Sequence, residues 1–436
     1  MATRYWDETA ETMPRAELER VQLESLRAAV ASALKTPFYR PRLLSAGITS
    51  PADLKSLADL RRIPFTTKDD LREAFPYGML AADRNDVVRM HASSGTTGIP
   101  TVIYLTERDV ARWTDFVARS VAATGADSSD VFQNMMTYGL FTGGLGLHYG
   151  AEKVGMMVIP AGPGNSARQL KLMRDFGTTT IHATPSFLLH LHSKMAEEGI
   201  APADLKLRRA FCGAEPYSED ARKKIEALFG IEVYNSYGLS EMNGPGVAFE
   251  CERRDGMHLW EDGYILEIVD RDSLEPLPDG ESGEIVLTIL CREAMPVLRY
   301  RTRDLSFVHE GHCPCGRTHR RIARIMGRTD DMLIINGINV FPSQIEEVIM
   351  AMPEVGNNYL ILLEKNGALD RLTVRVEVGP GVFADDSRLL NALRDRIRDR
   401  LQTSISIKAR VELHEPGSLP VSEGKAKRVI DERSKL

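Results

Sequence analysis

The sequence predicts a protein in two parts, α/β and α+β. A large N-terminal domain would carry a mostly parallel α/β sheet and a β subdomain; a small C-terminal domain would be α+β. Three observations predict this. From about residue 86, short apolar runs alternate with helical stretches, as strands joined by crossover helices do. Residues 256–310 instead hold strands parted by turn clusters such as Pro278-Asp279-Gly280, the pattern of an antiparallel subdomain. Beyond Gly327–Asp331 the chain reads as a short, self-contained set of helices and strands. The division is therefore drawn as 1–327 and 331–436.

The elements follow in order. Residues 14–36 read as a helix, with Leu23, Leu26, Val30 and Leu34 recurring on one face and Leu18 and Val21 a turn or two earlier. Pro14 stands where a first turn tolerates proline. Thr66-Thr67-Lys68-Asp69-Asp70 reads as an N-cap entering a second helix. Strands are expected at Thr101–Leu105, Gly155–Pro160, Thr180–Ala183 and Glu232–Tyr234. Helices are expected at Gln169–Phe176, Ser186–Ala196 and Glu219–Phe229. The β subdomain would contain His258–Trp260, Tyr264–Val269 and Glu284–Ile289. The C-terminal unit reads as helix (Pro342–Met352), strand (Asn358–Leu363), then a strand with Leu372, Val374, Val376 and Val378 inward. An amphipathic helix (Leu389, Leu393, Ile397, Leu401) and a strand (Ala409–Leu413) complete it. Glu415–Lys435 is polar and reads as a loop with a short helix.

Composition removes several function classes. Of 436 residues, 61 are acidic and 55 basic, a net charge of −6, so charge gives no argument for a nucleic-acid partner. Five cysteines in a chain this long do not make a disulfide scaffold. The N-terminal stretch lacks the apolar core of a secretory signal, and no apolar run approaches the roughly 20 residues of a membrane helix. A soluble, cytoplasmic protein with no membrane partner is expected.

The most informative stretch is His91-Ala92-Ser93-Ser94-Gly95-Thr96-Thr97-Gly98-Ile99-Pro100-Thr101. Every residue from Ser93 to Gly98 is a hydroxyl-bearing residue or glycine. Small residues let backbone N–H groups form a concave anion nest, and hydroxyls add donors, which suits a polyphosphate. A loose Ser/Gly/Thr surface loop has the same composition. Strands on both sides, Val87–Met90 and Thr101–Leu105, make it a tight, positioned turn instead. No Gly-Lys-Ser/Thr follows, so it is not a Walker A loop.

This stretch resembles the phosphate loop of the adenylate-forming superfamily of acyl-CoA synthetases, adenylation domains and luciferases. Five further stretches agree in order: Phe211–Pro216 (Phe-Cys-Gly-Ala-Glu-Pro), Tyr237–Glu241 (Tyr-Gly-Leu-Ser-Glu), Tyr300–Asp304 (Tyr-Arg-Thr-Arg-Asp), Gly327–Asp331 through Gly337 to Glu346, and Ser422–Lys425. The likeness covers essentially the whole chain. Pro64–Lys68, Tyr138–Gly146, Glu293–Pro296 and Cys313–His319 narrow it to the phenylacetate-CoA ligase branch.

The resemblance implies roles. Activating a carboxylate brings two anions together, so charge must be neutralised and pyrophosphate expelled. Lys425 would stabilise the adenylation transition state, and Glu241 would be the second catalytic residue as the Mg²⁺ ligand. Ser93, Ser94, Gly95, Thr96, Thr97 and Gly98 would hold the phosphates. Gly213, Ala214, Glu215, Pro216 and Tyr237 would hold adenine, and Asp304 would accept from the ribose hydroxyls. Asn235, Gly238, Ile325 and Arg328 complete the ATP set. Tyr138, Phe141, Ser236 and Pro245 would line the acid pocket. Asp330 would be the hinge and Gly337 would pass the pantetheine arm of CoA, with the C-terminal domain a mobile lid. Taken singly, a Glu or Lys is usually a solvated charge, Asp304 a turn cap and Gly337 a turn glycine. The joint order of the motifs is what outweighs this.

The chain departs from the wider pattern in places. Thr101 stands where lysine is common and Arg303 where glycine is, both habits of this branch. Met135-Met136-Thr137-Tyr138 and Ser236 differ from the Ala-Tyr-Gly-Tyr and Ile associated with phenylacetate ligases, which leaves the acid open.

Cys251, His258, Cys313 and Cys315 form a separate set. Three thiolates and an imidazole suit a tetrahedral structural zinc, although the spacing is not a standard finger. His312 and His319 are rival ligands. Cys212 and Cys291 read as core residues in apolar strands.

The function read from the sequence is an AMP-forming ligase that activates an aromatic, arylacetic acid with ATP and Mg²⁺ and passes the acyl group to coenzyme A. An adenylyltransferase with another acceptor is the alternative, and a non-catalytic nucleotide sensor is disfavoured because Lys425 and Glu241 are both present. The expected partners are the acid, ATP and CoA, with a second copy of the chain in a homodimer as an option.

Overall fold

The computed structural model describes residues 5–93, 100–366, 369–379, 382, 387–420 and 426–433. Ser94, Gly95, Thr96, Thr97, Gly98 and Lys425 lie outside the described residues.

The chain opens with α1 (Glu8–Glu11), α2 (Arg15–Ala33), α3 (Tyr39–Ser45) and α4 (Lys68–Glu73), then β1 (Val87–Ser93) and β2 (Thr101–Thr106). Next come α5 (Glu107–Ala123), β3 (Val131–Asn134), α6 (Thr142–Val154), β4 (Met157–Ile159), α7 (Ser166–Phe176), β5 (Thr180–Ala183) and α8 (Pro185–Met195). They are followed by β6 (Arg209–Gly213), α9 (Glu219–Phe229), β7 (Glu232–Leu239), β8 (Gly244–Glu250), β9 (Met257–Leu259), β10 (Tyr264–Val269), β11 (Gly283–Ile289) and β12 (Tyr300–Ser306). The remainder is β13 (Arg321–Ile322), β14 (Gly327–Arg328), β15 (Leu333–Ile335), β16 (Ile338–Val340), α10 (Pro342–Met350), β17 (Val355–Asn366), β18 (Leu369–Val378), α11 (Ser387–Ile405), β19 (Arg410–His414) and β20 (Val429–Asp431).

Local chemistry explains the helix boundaries. Thr67 caps α4: its hydroxyl accepts from the Asp70 N–H, and Asp70 accepts from the Thr67 N–H at 2.7 Å. Thr106 and Asp109 repeat this reciprocal pair at α5. Gly155, Gly177 and Gly230 end α6, α7 and α9 in the left-handed conformation, which glycine enters without a Cβ penalty.

The chain divides into two compact units, 1–162 with 234–324 and 163–233 with 325–436. In the first, β1 and β2 form an antiparallel hairpin that pairs Ser93 with Thr101. β3 and β4 run parallel, whereas β7, β8, β9 and β13 run antiparallel. β10, β11 and β12 form an antiparallel layer. Helix α6 packs against α5 through glycines: a Cβ at Gly150 would fall 2.4 Å from Val117 Cγ1, and one at Gly146 2.5 Å from Trp113. In the second unit β5 and β6 are parallel. β15 and β16 form a hairpin, and β19, β18, β17 and β20 lie side by side with β17–β18 antiparallel and both outer pairs parallel. Among the described residues no helix is long and apolar enough to cross a membrane.

Several expectations are corrected. β9 pairs with β8 and β13 rather than with the β10–β12 layer, so 256–310 is not one antiparallel subdomain. Leu23 and Leu34 are only half-buried, and Gln22 takes the core position because it donates to the carbonyls of Glu261 and Tyr264. Leu389 is 61% exposed, so the buried stripe of α11 starts at Leu393. In the C-terminal tail the described regular element is the strand β20, parallel to β17, instead of a short helix. Cys291 lies two residues past β11 and is not itself in a strand, although it is buried like Cys212.

Candidate active site

The first unit brings together the residues assigned to ribose, adenine and metal. Asp304 sits on β12 and Tyr237 on β7, both buried, and the Tyr237 hydroxyl donates to Asp304 Oδ2 at 2.7 Å. That bond holds the carboxylate and the phenol in a defined relative position. Arg303, next to Asp304, holds φ of +68°. The wider family's glycine at this position is explained by that backbone, which a residue with a Cβ adopts at a cost of about 1–2 kcal/mol. Asn235 is buried on β7, and its backbone N–H donates to Glu250 Oε2 at 2.7 Å.

Glu241 lies in a tight turn between β7 and β8 and is buried. The buried Arg292 holds the turn, donating to the carbonyls of Glu241 (2.9 Å) and Met295 (2.7 Å) and to Asn243 Oδ1 (3.1 Å). Asn243 itself stands at φ +73°. Lys68 Nζ, at the start of α4, is 3.8 Å from Glu241 Oε1. A buried carboxylate of this kind could hold a hard cation completed by phosphate oxygens and water. Arg292 and Lys68 were not singled out as site residues in the sequence. A lone arginine gives no signal, whereas Lys68 stands out in the sequence as part of a capping stretch and of Pro64–Lys68, with nothing local to link it to Glu241.

Gly238 permits this turn. An ideal Cβ there would lie 1.9 Å from Gly244 O and 2.8 Å from Pro245 N, backbone atoms that cannot rotate away. Gly238→Ala is therefore expected to destabilise the fold by about 3 kcal/mol or more and to abolish nucleotide binding, read by thermal unfolding and ATP titration. A melting temperature within a degree of the parent would refute this.

The proposed acid-pocket residues lie in the same unit. Ser236 and Pro245 are buried, and Pro245 O accepts from Trp113 Nε1 at 2.8 Å. Tyr138 is half-buried; its hydroxyl accepts from Asn134 Nδ2 at 3.0 Å and meets His148 Nδ1 at 3.2 Å. Burial pushes its phenol up to about 12, so it stays a neutral hydroxyl. Phe141 is 41% exposed at the N-cap of α6. Ser93 pairs its hydroxyl with that of Thr101 across β1 and β2.

Four further residues of this unit converge elsewhere. Cys251, His258, Cys313 and Cys315 are all buried, with their ligand atoms within 4.8 Å of one another. Cys251 Sγ and Cys313 Sγ are 3.8 Å apart, and Cys315 Sγ is 3.3 Å from His258 Nε2. Thiolates on a tetrahedral zinc with bonds of about 2.3 Å also stand about 3.8 Å apart. His258 Nδ1 faces the His319 carbonyl at 3.1 Å, which leaves Nε2 toward the sulfurs. The rival His319 is otherwise engaged: its Nδ1 accepts from the Glu261 N–H and its Nε2 donates to Ala10 O, both at 2.8 Å. His312 is exposed.

The second unit carries the other assigned residues. Gly213 ends β6, and Ala214 follows at φ +68°, a strained backbone of the kind that clusters at binding sites. Glu215 accepts from the N–H of Ser186 (2.8 Å) and of Ala426 (3.0 Å), and Pro216 follows it. Ile325 and Arg328 are half-buried. Arg328 forks onto the exposed Asp330 with bonds of 2.8 and 2.9 Å. Asn336 (φ +50°) and Gly337 (φ +82°) form the two-residue turn of the β15–β16 hairpin.

Residues 42–288 match the family model described as AMP-binding enzyme, and residues 337–433 match the AMP-binding enzyme C-terminal domain. The phenylacetate-coenzyme A ligase of Thermus thermophilus is 46% identical over 97% of this chain and 98% of its own length. That of Escherichia coli is 43% identical over 96% and 95%. Among solved structures, a 2-hydroxyisobutyryl-CoA ligase in its postadenylation state superposes with a TM-score of 0.93, 31% identity and coverage of 99% and 93%. The same ligase with CoA in its thioesterification state gives 0.73 at 32% identity and the same coverage.

Proposed function

We propose a substrate class and a division of labour for a chain that belongs to the AMP-binding enzyme family and is an AMP-forming acid–CoA ligase. The acid is arylacetic. The observation that carries this is the extended likeness to phenylacetate-coenzyme A ligases, supported by the buried Pro245 beside the apolar Trp113.

In this reading Asp304 and Tyr237 hold the nucleoside, and Gly213–Pro216 offers backbone groups to adenine. Ser93–Gly98 holds the phosphates. Glu241 would hold Mg²⁺, which supplies charge neutralisation on the phosphates. Lys68, at 3.8 Å, keeps the Glu241 carboxylate from being an uncompensated buried charge. Lys425 acts on the charge that develops at the α-phosphate. The 1–327 domain binds ATP and acid, and the 331–436 domain is the lid, turning about Asp330, with Gly337 giving room to the pantetheine arm. Zinc in the Cys251–His258–Cys313–Cys315 set is structural. The setting is cytoplasmic, in keeping with five cysteines none of which is in a disulfide and with ATP and CoA as cosubstrates.

The test is acid-dependent exchange between ATP and pyrophosphate over arylacetic, benzoic and fatty acids, repeated with CoA. Arylacetic acids should support both exchange and thioester formation. Exchange without thioester would instead favour an adenylyltransferase with another acceptor. In Asp330→Pro, which fixes φ, exchange should persist while thioester output falls by a much larger factor. Equal loss of both would refute the hinge role.

A further inference from the structure

Within the second unit, residues 163–233 meet the C-terminal segment through hydrogen bonds. From α9, Lys224 Nζ donates to Val355 O (2.8 Å) and Gly356 O (2.7 Å) at the start of β17. Asn357 Nδ2 donates to Leu189 O on α8 at 3.1 Å. Glu346 on α10 accepts from the Ser218 N–H at 3.4 Å, and Glu215 accepts from the Ala426 N–H at 3.0 Å. Beside these bonds lies a cavity of about 520 Å³, lined by His190 and Lys224 on one side and by Asn358 and Arg428 on the other.

Each of these bonds has a backbone group on one side and contributes about 1 kcal/mol net, because water can replace it. Bonds of that size are exchanged for water at modest cost. Lys224 makes two of the bonds that cross the joint, and both fall where β17 begins. Burial of the half-buried Lys224 pushes its ammonium down to about 8. The chain carrying this joint superposes better on a ligase's postadenylation state than on its thioesterification state.

We propose that Lys224 is a positioning residue for the adenylation half-reaction: its two bonds hold the C-terminal segment against α9 and are given up when thioester formation begins. The proposal rests on the ligase reading above. Lys224 touches no substrate in it; the residue acts through β17 and the chain at Ala426.

The test uses the full chain with Lys224→Met, which keeps the stem and removes the donors, and Lys224→Arg, which keeps donors and charge. Two half-reactions are measured: ATP–pyrophosphate exchange, and CoA-dependent consumption of synthetic phenylacetyl-adenylate. Lys224→Met should lower exchange about tenfold, leave adenylate consumption equal or faster, and Lys224→Arg should recover most of the exchange. Equal loss of both half-reactions, or no loss of either, would overturn the proposal. Amide hydrogen exchange reads the joint without any activity: 355–360 and 426–428 should lose protection in Lys224→Met, and unchanged protection would also overturn it. Failure of the ligase reading shows separately, as a parent protein that supports no exchange with any acid.

Discussion

Replacing Cys313 by serine should release about one zinc ion per chain and lower the melting temperature by on the order of 10 °C or more. The size follows from what the site fastens. Cys251 follows β8, His258 lies on β9, and Cys313 and Cys315 stand on the loop leading to β13. The same loop anchors the N-terminal segment: Arg317 pairs with Glu11 at 2.6 Å, Tyr5 donates to Cys315 O at 3.0 Å, and His319 donates to Ala10 O. One ion would therefore cross-link two strands of one sheet, a long loop and the chain start. Structural zinc is worth about 10 kcal/mol or more in small peptides that fold around it. A large unit with its own core would lose a fraction of that, several kcal/mol. At about 2–4 °C per kcal/mol for units of this size, the fall is readily measured. Elemental analysis of protein purified without added metal, with calorimetry on the parent and Cys313→Ser, is the measurement. Absence of zinc, with all five thiols freely titratable under native conditions, would sink the assignment. Cys212→Ser is the control, since Cys212 is buried in β6 and is not one of the four converging residues; it should keep the metal.

The sequence made the chemistry more legible than the packing. Tyr237, Glu241 and Asp304 could be named because their order with the other motifs is informative, and the structure joins Tyr237 to Asp304 directly. Helices with a strong period, such as Glu219–Phe229, were found to the residue. What failed were positions decided by distant partners. Gln22 enters the core because two carbonyls of the β9–β10 turn and strand accept from it, and no local pattern announces that. β20 is three residues long in a polar tail; it is a strand only because β17 offers an open edge. β9 is equally short, and its register with β8 is long-range information. The choice among His258, His312 and His319 needed coordinates for the same reason. Arg292 shows the limit for function: it shapes the Glu241 turn through three bonds, yet in sequence it is one arginine among many.

Lys425→Ala should reduce acid-dependent ATP–pyrophosphate exchange by on the order of 10²–10³-fold while the affinity for ATP changes little. Carboxylate attack on the α-phosphorus places extra negative charge on oxygens that already bear it. A lysine ammonium aimed at that charge is worth more in the transition state than in the ground state, so its loss falls on the rate constant and spares binding. The chain that follows is anchored. Ala426 N–H donates to Glu215, whose other oxygen is fixed by the Ser186 N–H. Arg428 donates to Tyr359 O at 3.1 Å and lies 4.5 Å over the Tyr359 ring. Residues on both sides of Lys427 are thus anchored, while Lys427 itself is exposed, so Lys427→Ala should leave exchange within about twofold of the parent. The second half-reaction separates a chemical role from a structural one. CoA-dependent consumption of preformed acyl-adenylate has no α-phosphate attack to stabilise, so Lys425→Ala should retain it. Loss of exchange in Lys427→Ala with retention in Lys425→Ala would move the role two residues along. Equal loss of both half-reactions in Lys425→Ala would mean that the lysine supports the fold of the tail rather than the transition state.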